Sequence, residues 1–301
     1  MIGHIKKYGF KILLIVLKRI LSNLFACFFM MKNLLIELFS SDYILVTSSV
    51  KPLYSNWGDD VSVILARFMS SRRVLASELC INIRRKKTCL CIGSIITWMT
   101  REDSYIWGSG VVYPDKEISA IPIKVLAVRG PLTRKYLLSQ GIACPDIYGD
   151  PALLFPRYYK PICKKKYKLG VIPHFRDKHN KVFKKLTFNE DVVFIDVQDV
   201  RDWHTFIDKI NMCESIVSSS LHGIIISDAY GVQNCWVEFF NGEQKRFAFQ
   251  DYFLSVSKNI SKPEIVDFST SFSDMILFTE EWKKPQIDLE RLISVCPFNL
   301  M

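Results

Sequence analysis

A chain of 301 residues with 49% hydrophobic content is long enough to bury two ordinary cores, so two domains are the expected organisation. The net charge of +10 favours anionic partners, yet no zinc-finger spacing, RNA-binding aromatic motif or basic zipper is present, which argues against nucleic acid. Nine scattered cysteines rule against a disulfide framework and point to a reducing cytoplasm, and dispersed histidines leave no legible metal site.

The charge is uneven along the chain. Lys6, Lys7, Lys11, Lys18, Arg19 and Lys32 precede the first acid, and a second basic run extends from Arg157 to Lys185 with Asp177 as its one acid. Phe10–Met31 is long and apolar enough to cross a bilayer, but Lys18 and Arg19 sit near its middle. Each would cost about 2.5–3.5 kcal/mol at a helix centre. The expectation for residues 1–40 is therefore a basic apolar helix in peripheral contact with the inner membrane face, against the plainer alternative of a helix packed on protein.

The globular part begins at Tyr43. Tyr43–Ser48 is a strand, Ser55–Asp60 (SNWGDD) a loop, and Val61–Met69 a helix. A loop at the C-terminal end of a parallel strand is where open α/β sheets bind ligands, so Asn56 and Gly58 are candidate contacts and Asp59 and Asp60 candidate bases. Thr88–Ile92 is a short strand carrying Cys89 and Cys91 and ending in Gly93-Ser94, a turn that permits close backbone approach. Lys124–Val128 is a stronger strand. It ends at Arg129, whose planar fork suits a carboxylate or phosphate, before a helix opened by Pro131 and closed by Gly141. Pro156–Lys166 reads as a linker.

Tyr167–Ile172 opens the second half and leads into Pro173-His174-Phe175-Arg176. Residues 213–240, CESIVSSSLHGIIISDAYGVQNCWVEFF, form a strand, a serine-rich turn, a helix over Leu221–Tyr230 stopped by Gly231, and another strand. Ser219 and Ser220 precede a helix N-terminus whose unpaired N–H groups suit an anion, with Gly223 in its first turn, and His222 aims an imidazole at the same place. The plain alternative is that these serines only cap the helix. Strands alternating with helices in both halves imply an α/β fold of two parallel-sheet domains facing a cleft.

GDPALLFP, IPHF, SSSLHGIIISDAYG and FQDYF (Phe249–Phe253), with NWGDD near the front, together resemble the polysaccharide pyruvyl transferases of bacterial exopolysaccharide clusters. The resemblance covers roughly residues 43–256. Ala248 stands where a basic residue often precedes the aromatic of the Asp-Tyr motif, and Arg246 is the nearest cation in that expectation. What the resemblance implies is two Rossmann-like domains arranged as in GT-B glycosyltransferases: an acceptor-side domain over residues 41–156, a donor-side domain over 157–270 and a helical segment over 271–301. It further implies transfer of pyruvate from phosphoenolpyruvate, as donor substrate and without another cofactor, onto two hydroxyls of a sugar that is lipid-linked or nucleotide-linked. Arg129, Leu221 and His222 then surround the donor, and His174 is an alternative acid. Asp59 or Asp60 handles the hydroxyl, while Arg176, Glu238, Asp251 and Tyr252 join the substrate-binding set. Two rivals stand beside this reading: a nucleotide-sugar glycosyltransferase, with Glu238 gripping ribose, and a non-catalytic scaffold at the membrane.

Overall fold

The computed structural model describes residues 2–48, 56–185, 190–199, 202–242 and 245–301, with the side chains of residues 2–15, Lys18, Asp59, Lys184 and Lys185 outside the description. A single long helix, α1 (Ile2–Phe39), leads into β1 (Tyr43–Thr47), α2 (Trp57–Met69), β2 (Arg73–Ala76), β3 (Thr88–Leu90), α3 (Ile96–Met99), β4 (Ser104–Trp107), β5 (Lys124–Ala127) and α4 (Pro131–Ser139). A 3₁₀ helix over Pro151–Arg157 connects to β6 (Tyr167–Ile172), β7 (Val192–Phe194), α5 (Trp203–Asn211), β8 (Cys213–Ser218), α6 (Leu221–Ala229), β9 (Gln233–Phe239) and α7 (Arg246–Ser255). β10 (Glu264–Val266), α8 (Phe272–Glu280) and α9 (Leu289–Ser294) finish the chain.

The strands form two five-stranded sheets, ordered β2-β1-β3-β4-β5 and β10-β9-β8-β6-β7. All pairings are parallel. Reversing the second gives β7-β6-β8-β9-β10, the same order as the first sheet, so the halves repeat one topology. In each, the chain changes direction across the sheet at one point, between β1 and β3 and between β6 and β8. Ligands in open parallel sheets bind outside the carboxyl ends of such strands.

One expectation is corrected at α2. The loop expected over Ser55–Asp60 ends at Asn56, and the helix starts at Trp57 rather than Val61. Asn56 caps it, accepting from the Gly58 N–H at 3.4 Å. Trp57 is then free to leave the turn for the core: it stacks on Phe206 at 4.7 Å and donates its indole N–H to the Trp203 carbonyl at 2.6 Å. Both partners belong to the second half.

The two sheets do not keep separate cores. One apolar cluster runs from Ile44 and Val46 through Trp57 and Phe155 to Phe206, Ile216 and Ile224. The C-terminal segment also crosses back, with Trp107 of β4 donating to the Leu292 carbonyl at 2.9 Å and packing edge-on against Phe298. Cys89 and Cys91, on the same side of the chain after β3 begins, are both buried with their sulfurs 3.4 Å apart.

A buried ion pair completes the join. Arg129, at the end of β5, and Asp251, in α7, are both wholly inaccessible and meet at 3.1 Å. Asp251 also accepts from the Thr133 N–H at 2.8 Å and the Thr133 hydroxyl at 2.7 Å. Removing one partner of such a pair strands a buried charge, which costs about 3–5 kcal/mol. Asp251→Ala should therefore lower unfolding free energy in urea by about that amount, and Arg129→Met with Asp251→Leu should recover part of it. Equal midpoints for wild type and Asp251→Ala would show that the pair does not hold the halves together.

Candidate active site

A cleft of about 390 Å³ lies between the halves. It is walled by the segments that follow the four switch-point strands: Asn56 after β1, Ser94 after β3, His174 and Arg176 after β6, and Ser220, Leu221 and His222 after β8. Trp98, Tyr113, Phe175, Gln198 and Lys245 complete the described polar and aromatic lining, and none of the described lining residues is an acid.

The second-half wall is set by short polar ties. Ser219 accepts from the His174 N–H at 2.9 Å and donates to Asp177 at 2.7 Å, which fixes the β6 and β8 loops to each other. Ser218 receives the Ser220 N–H at 3.0 Å and turns the chain into α6. Gly223 is needed one turn on, since a Cβ there would stand 2.3 Å from the Ser218 hydroxyl. Burial and the neighbouring Lys245 and Arg176 push the His174 imidazole down to about 3. It is neutral at pH 7, and its Nε2 accepts from the Lys245 ammonium at 2.9 Å.

His222 is the most constrained group. Its ring is seated on the bare backbone of Gly58 in the first turn of α2, where a Cβ would fall 1.9 Å from Nδ1. Burial first, then the positive charges of Arg129 and Lys245, push its pKa down to about 3. Its Nε2 is buried and finds no hydrogen-bond partner among the described residues. A buried polar atom without a partner, in the wall of a cationic cleft, is suited to receive a ligand atom.

The other expected residues divide. Arg129, expected to grip a ligand, is instead behind the wall: its fork reaches Asp251, the Ser94 hydroxyl at 2.6 Å and the Val111 carbonyl at 2.7 Å. Asp251 and Tyr252 are fully buried, and the Tyr252 hydroxyl donates to Asp228 of α6 at 2.9 Å. Gly93 lies behind Ser94, its carbonyl receiving the Ser109 hydroxyl at 2.7 Å. Glu238 is held by Arg246 at 3.1 and 2.8 Å, so Arg246, the expected cation, faces a carboxylate. Asp60 is half-buried in the first turn of α2 but does not line the cleft, and the Asp59 side chain lies outside the described residues.

Lys245 was not legible as a site residue. Its one signal was its place between a strand end and a helix, beside the more conspicuous Arg246. Behind the site, burial raises Asp150 of the GDPALLFP turn to about 7 despite a 3.0 Å hydrogen bond from the Ala152 N–H.

Residues 122–238 match the model of the family described as polysaccharide pyruvyl transferase. Over those residues the chain is similar to the polysaccharide pyruvyl transferase family. The matched stretch holds Arg129, His174, Arg176 and Ser220–His222, while Asn56, Ser94, Lys245 and Asp251 lie outside it. Pyruvyl transfer in polysaccharide synthesis is the activity to which that family match points. An uncharacterized protein of Acanthamoeba polyphaga mimivirus is 27% identical to this chain over 76% of its length and 86% of the viral one. A functionally uncharacterized protein of Klebsiella pneumoniae subsp. pneumoniae NTUH-K2044, known by crystal structure, is 14% identical, covers 79% of this chain and 96% of its own, and has a TM-score of 0.42.

Two predictions follow from His222. A folded pKa near 3 against an ordinary 6.5 means that the unfolded chain binds the extra proton first as pH falls. The stabilisation is whole above pH 6.5 and is lost progressively as pH falls towards 3. Between pH 7.5 and 5.0 His222 should remove about 2 kcal/mol, and His222→Gln should flatten the pH dependence of unfolding free energy by that amount. Identical slopes would mean that His222 titrates normally. Gly58→Ala should displace the imidazole. Cleft binding measured by calorimetry should then fall as it does in His222→Ala, and unchanged binding would free Gly58 of that role.

Proposed function

We propose that the cleft transfers pyruvate from phosphoenolpyruvate onto two hydroxyls of a sugar, forming a cyclic ketal in a bacterial surface polysaccharide or its lipid- or nucleotide-linked precursor. The observation that carries this reading is the buried Nε2 of His222, without a partner among the described residues, in a cleft whose described lining includes Lys245 and Arg176 and no acid. Phosphoenolpyruvate brings a carboxylate and a phosphate, and both need cations and N–H donors in a water-poor site. Lys245, Arg176 and the first turn of α6 supply them, and Arg129 supports Ser94 from behind.

The reaction balances without another reactant. One acceptor hydroxyl adds to C2 as C3 takes a proton and becomes methyl. The bond from C2 to the phosphate oxygen breaks, the second hydroxyl adds to C2, and its proton leaves with the phosphate. Before a ligand binds, His222 is neutral because it is buried and because cations surround it. A trianionic ligand reverses that local field and raises the imidazole pKa, so proton uptake accompanies binding and arms His222, or His174 beside Lys245, as the acid. Of the two aspartates on the α2 turn that carries Gly58, Asp59 is the proposed base for the hydroxyls, since Asp60 does not line the cleft. Trp98, 57% exposed on the opposite wall, offers a face for the sugar ring.

The matching strand orders support a GT-B-like pair of Rossmann-like domains, an acceptor half and a donor half. A nucleotide-sugar glycosyltransferase is less well supported. Glu238, its candidate for gripping ribose, is occupied by Arg246. A non-catalytic scaffold would have no need of a cationic cleft.

With phosphoenolpyruvate and a sugar diol, His222→Ala should lose pyruvyl transfer and phosphate release by at least about a hundredfold, the order expected of a general acid, while keeping its circular dichroism. His222→Gln separates roles: retained turnover assigns it to binding, and lost turnover with retained binding assigns it to proton donation. Lys245→Met should chiefly raise KM. Wild-type phosphate release by His222→Ala, or nucleotide release from sugar nucleotides instead, would sink the proposal.

A further inference from the structure

A second cavity, about 870 Å³, lies away from the cleft, where α1 crosses α2 and the free edge of β2. Its floor is apolar, built from Val63, Val74 and Leu75, and Lys32, Arg67 and Arg73 stand around it. All three cations are exposed, and none meets a carboxylate among the described residues. Arg72, on the rim, is already held by Asp42 at 2.8 Å and by the carbonyl of Met301. Among the described residues no acid lines the cavity.

The cavity continues into α1. The C-terminal turns of that helix are fixed to the domain: Glu37 accepts the N–H groups of Ile81 and Ile83 at 3.1 and 2.9 Å, and Asn33 donates to the Leu79 carbonyl at 2.9 Å. Above them Leu24, Phe28, Met31 and Leu35 recur at helical spacing and are 61, 64, 70 and 57% exposed. Of the apolar stretch Arg19–Phe39 only 17% is buried, so this is not a core helix. Its 21 residues span about 31 Å, close to the thickness of a bilayer's hydrocarbon layer.

We propose that this cavity holds the phosphate headgroup of an anionic membrane phospholipid, with its acyl chains lying along the exposed face of α1. The chemistry selects that occupant. Three unpaired cations call for a phosphate, the apolar floor and stripe call for hydrocarbon beside it, and a phospholipid presents both at that spacing. A free phosphate would leave the apolar surface uncovered, and a neutral lipid would leave the cations unpaired. The site is independent of the cleft chemistry and would stand if the pyruvyl-transfer reading fell.

The test uses the full chain in a neutral maltoside detergent, titrated calorimetrically with dihexanoyl-phosphatidylglycerol below its micellar concentration. One saturable equivalent is expected. The variant Lys32→Gln/Arg67→Gln/Arg73→Gln should bind at least about ten-fold more weakly, with an unchanged thermal midpoint. Lys160→Gln/Lys164→Gln/Lys284→Gln, which removes equal charge at exposed sites elsewhere, should bind as wild type does. Arg67→Glu provides a single-site version with the same expected loss. The proposal fails if wild type shows no saturable binding or if both triple variants lose binding equally. It also fails if inorganic phosphate or dihexanoyl-phosphatidylcholine binds as tightly as the anionic lipid.

Discussion

Much of the architecture depends on a guanidinium and a carboxylate that never see water. Arg129 belongs to the first sheet and Asp251 to a helix of the second half, and each is wholly inaccessible. Desolvating two charges is costly, and the arrangement is tolerable because Thr133, Ser94 and the Val111 carbonyl satisfy what the ion pair leaves over. Ser94 is itself part of the cleft wall, so the pair fixes a site residue as well as an interface. The next residue, Tyr252, reaches the other way to Asp228, the anchor of the helix that begins with Leu221 and His222. Asp228 also receives Lys258 at 2.6 and 2.7 Å and Trp282 at 2.7 Å. One dipeptide in α7 thereby sets both walls of the cleft relative to each other.

The electrostatics of the cleft follow from what is missing between its walls. Cations gather there and carboxylates are kept behind the surface or paired, as with Asp251 and Glu238. Burial first, and those cations second, keep the two imidazoles neutral. The cationic part of that shift is the part that the charge of a bound anion would offset.

The strands and the serine-rich turn were legible because their signals are local. Tyr167–Ile172 has the predicted bounds, and the strand–turn–helix around His222 shifts by at most two residues at either end. Trp57 was not legible as the start of a helix, because its reason to be there is Phe206, some 150 residues away. Arg129 was found for its chemistry and given the wrong surroundings. A strand-end arginine reads alike whether it faces a ligand or a buried aspartate, and only the position of α7 decides. Lys245 was hidden by Arg246 for a related reason, since sequence does not show which of two neighbouring cations is taken up by Glu238. The edge strands β2 and β10 are too short to carry a periodic signal.

The return of the C-terminal segment to the first sheet bears on how the chain is made. Trp107 lies in the interior of the first half, yet its indole N–H ends on Leu292 and its ring rests on Phe298. A ribosome delivers those partners only after the whole second sheet. Until then the first sheet carries an open apolar seat, and Trp57 waits for α5 in the same way. Multidomain chains commonly complete one unit before the next is synthesised. Here the first sheet closes only when Leu292 and Phe298 have left the ribosome, so a nascent chain stopped short of them is a natural client for chaperones.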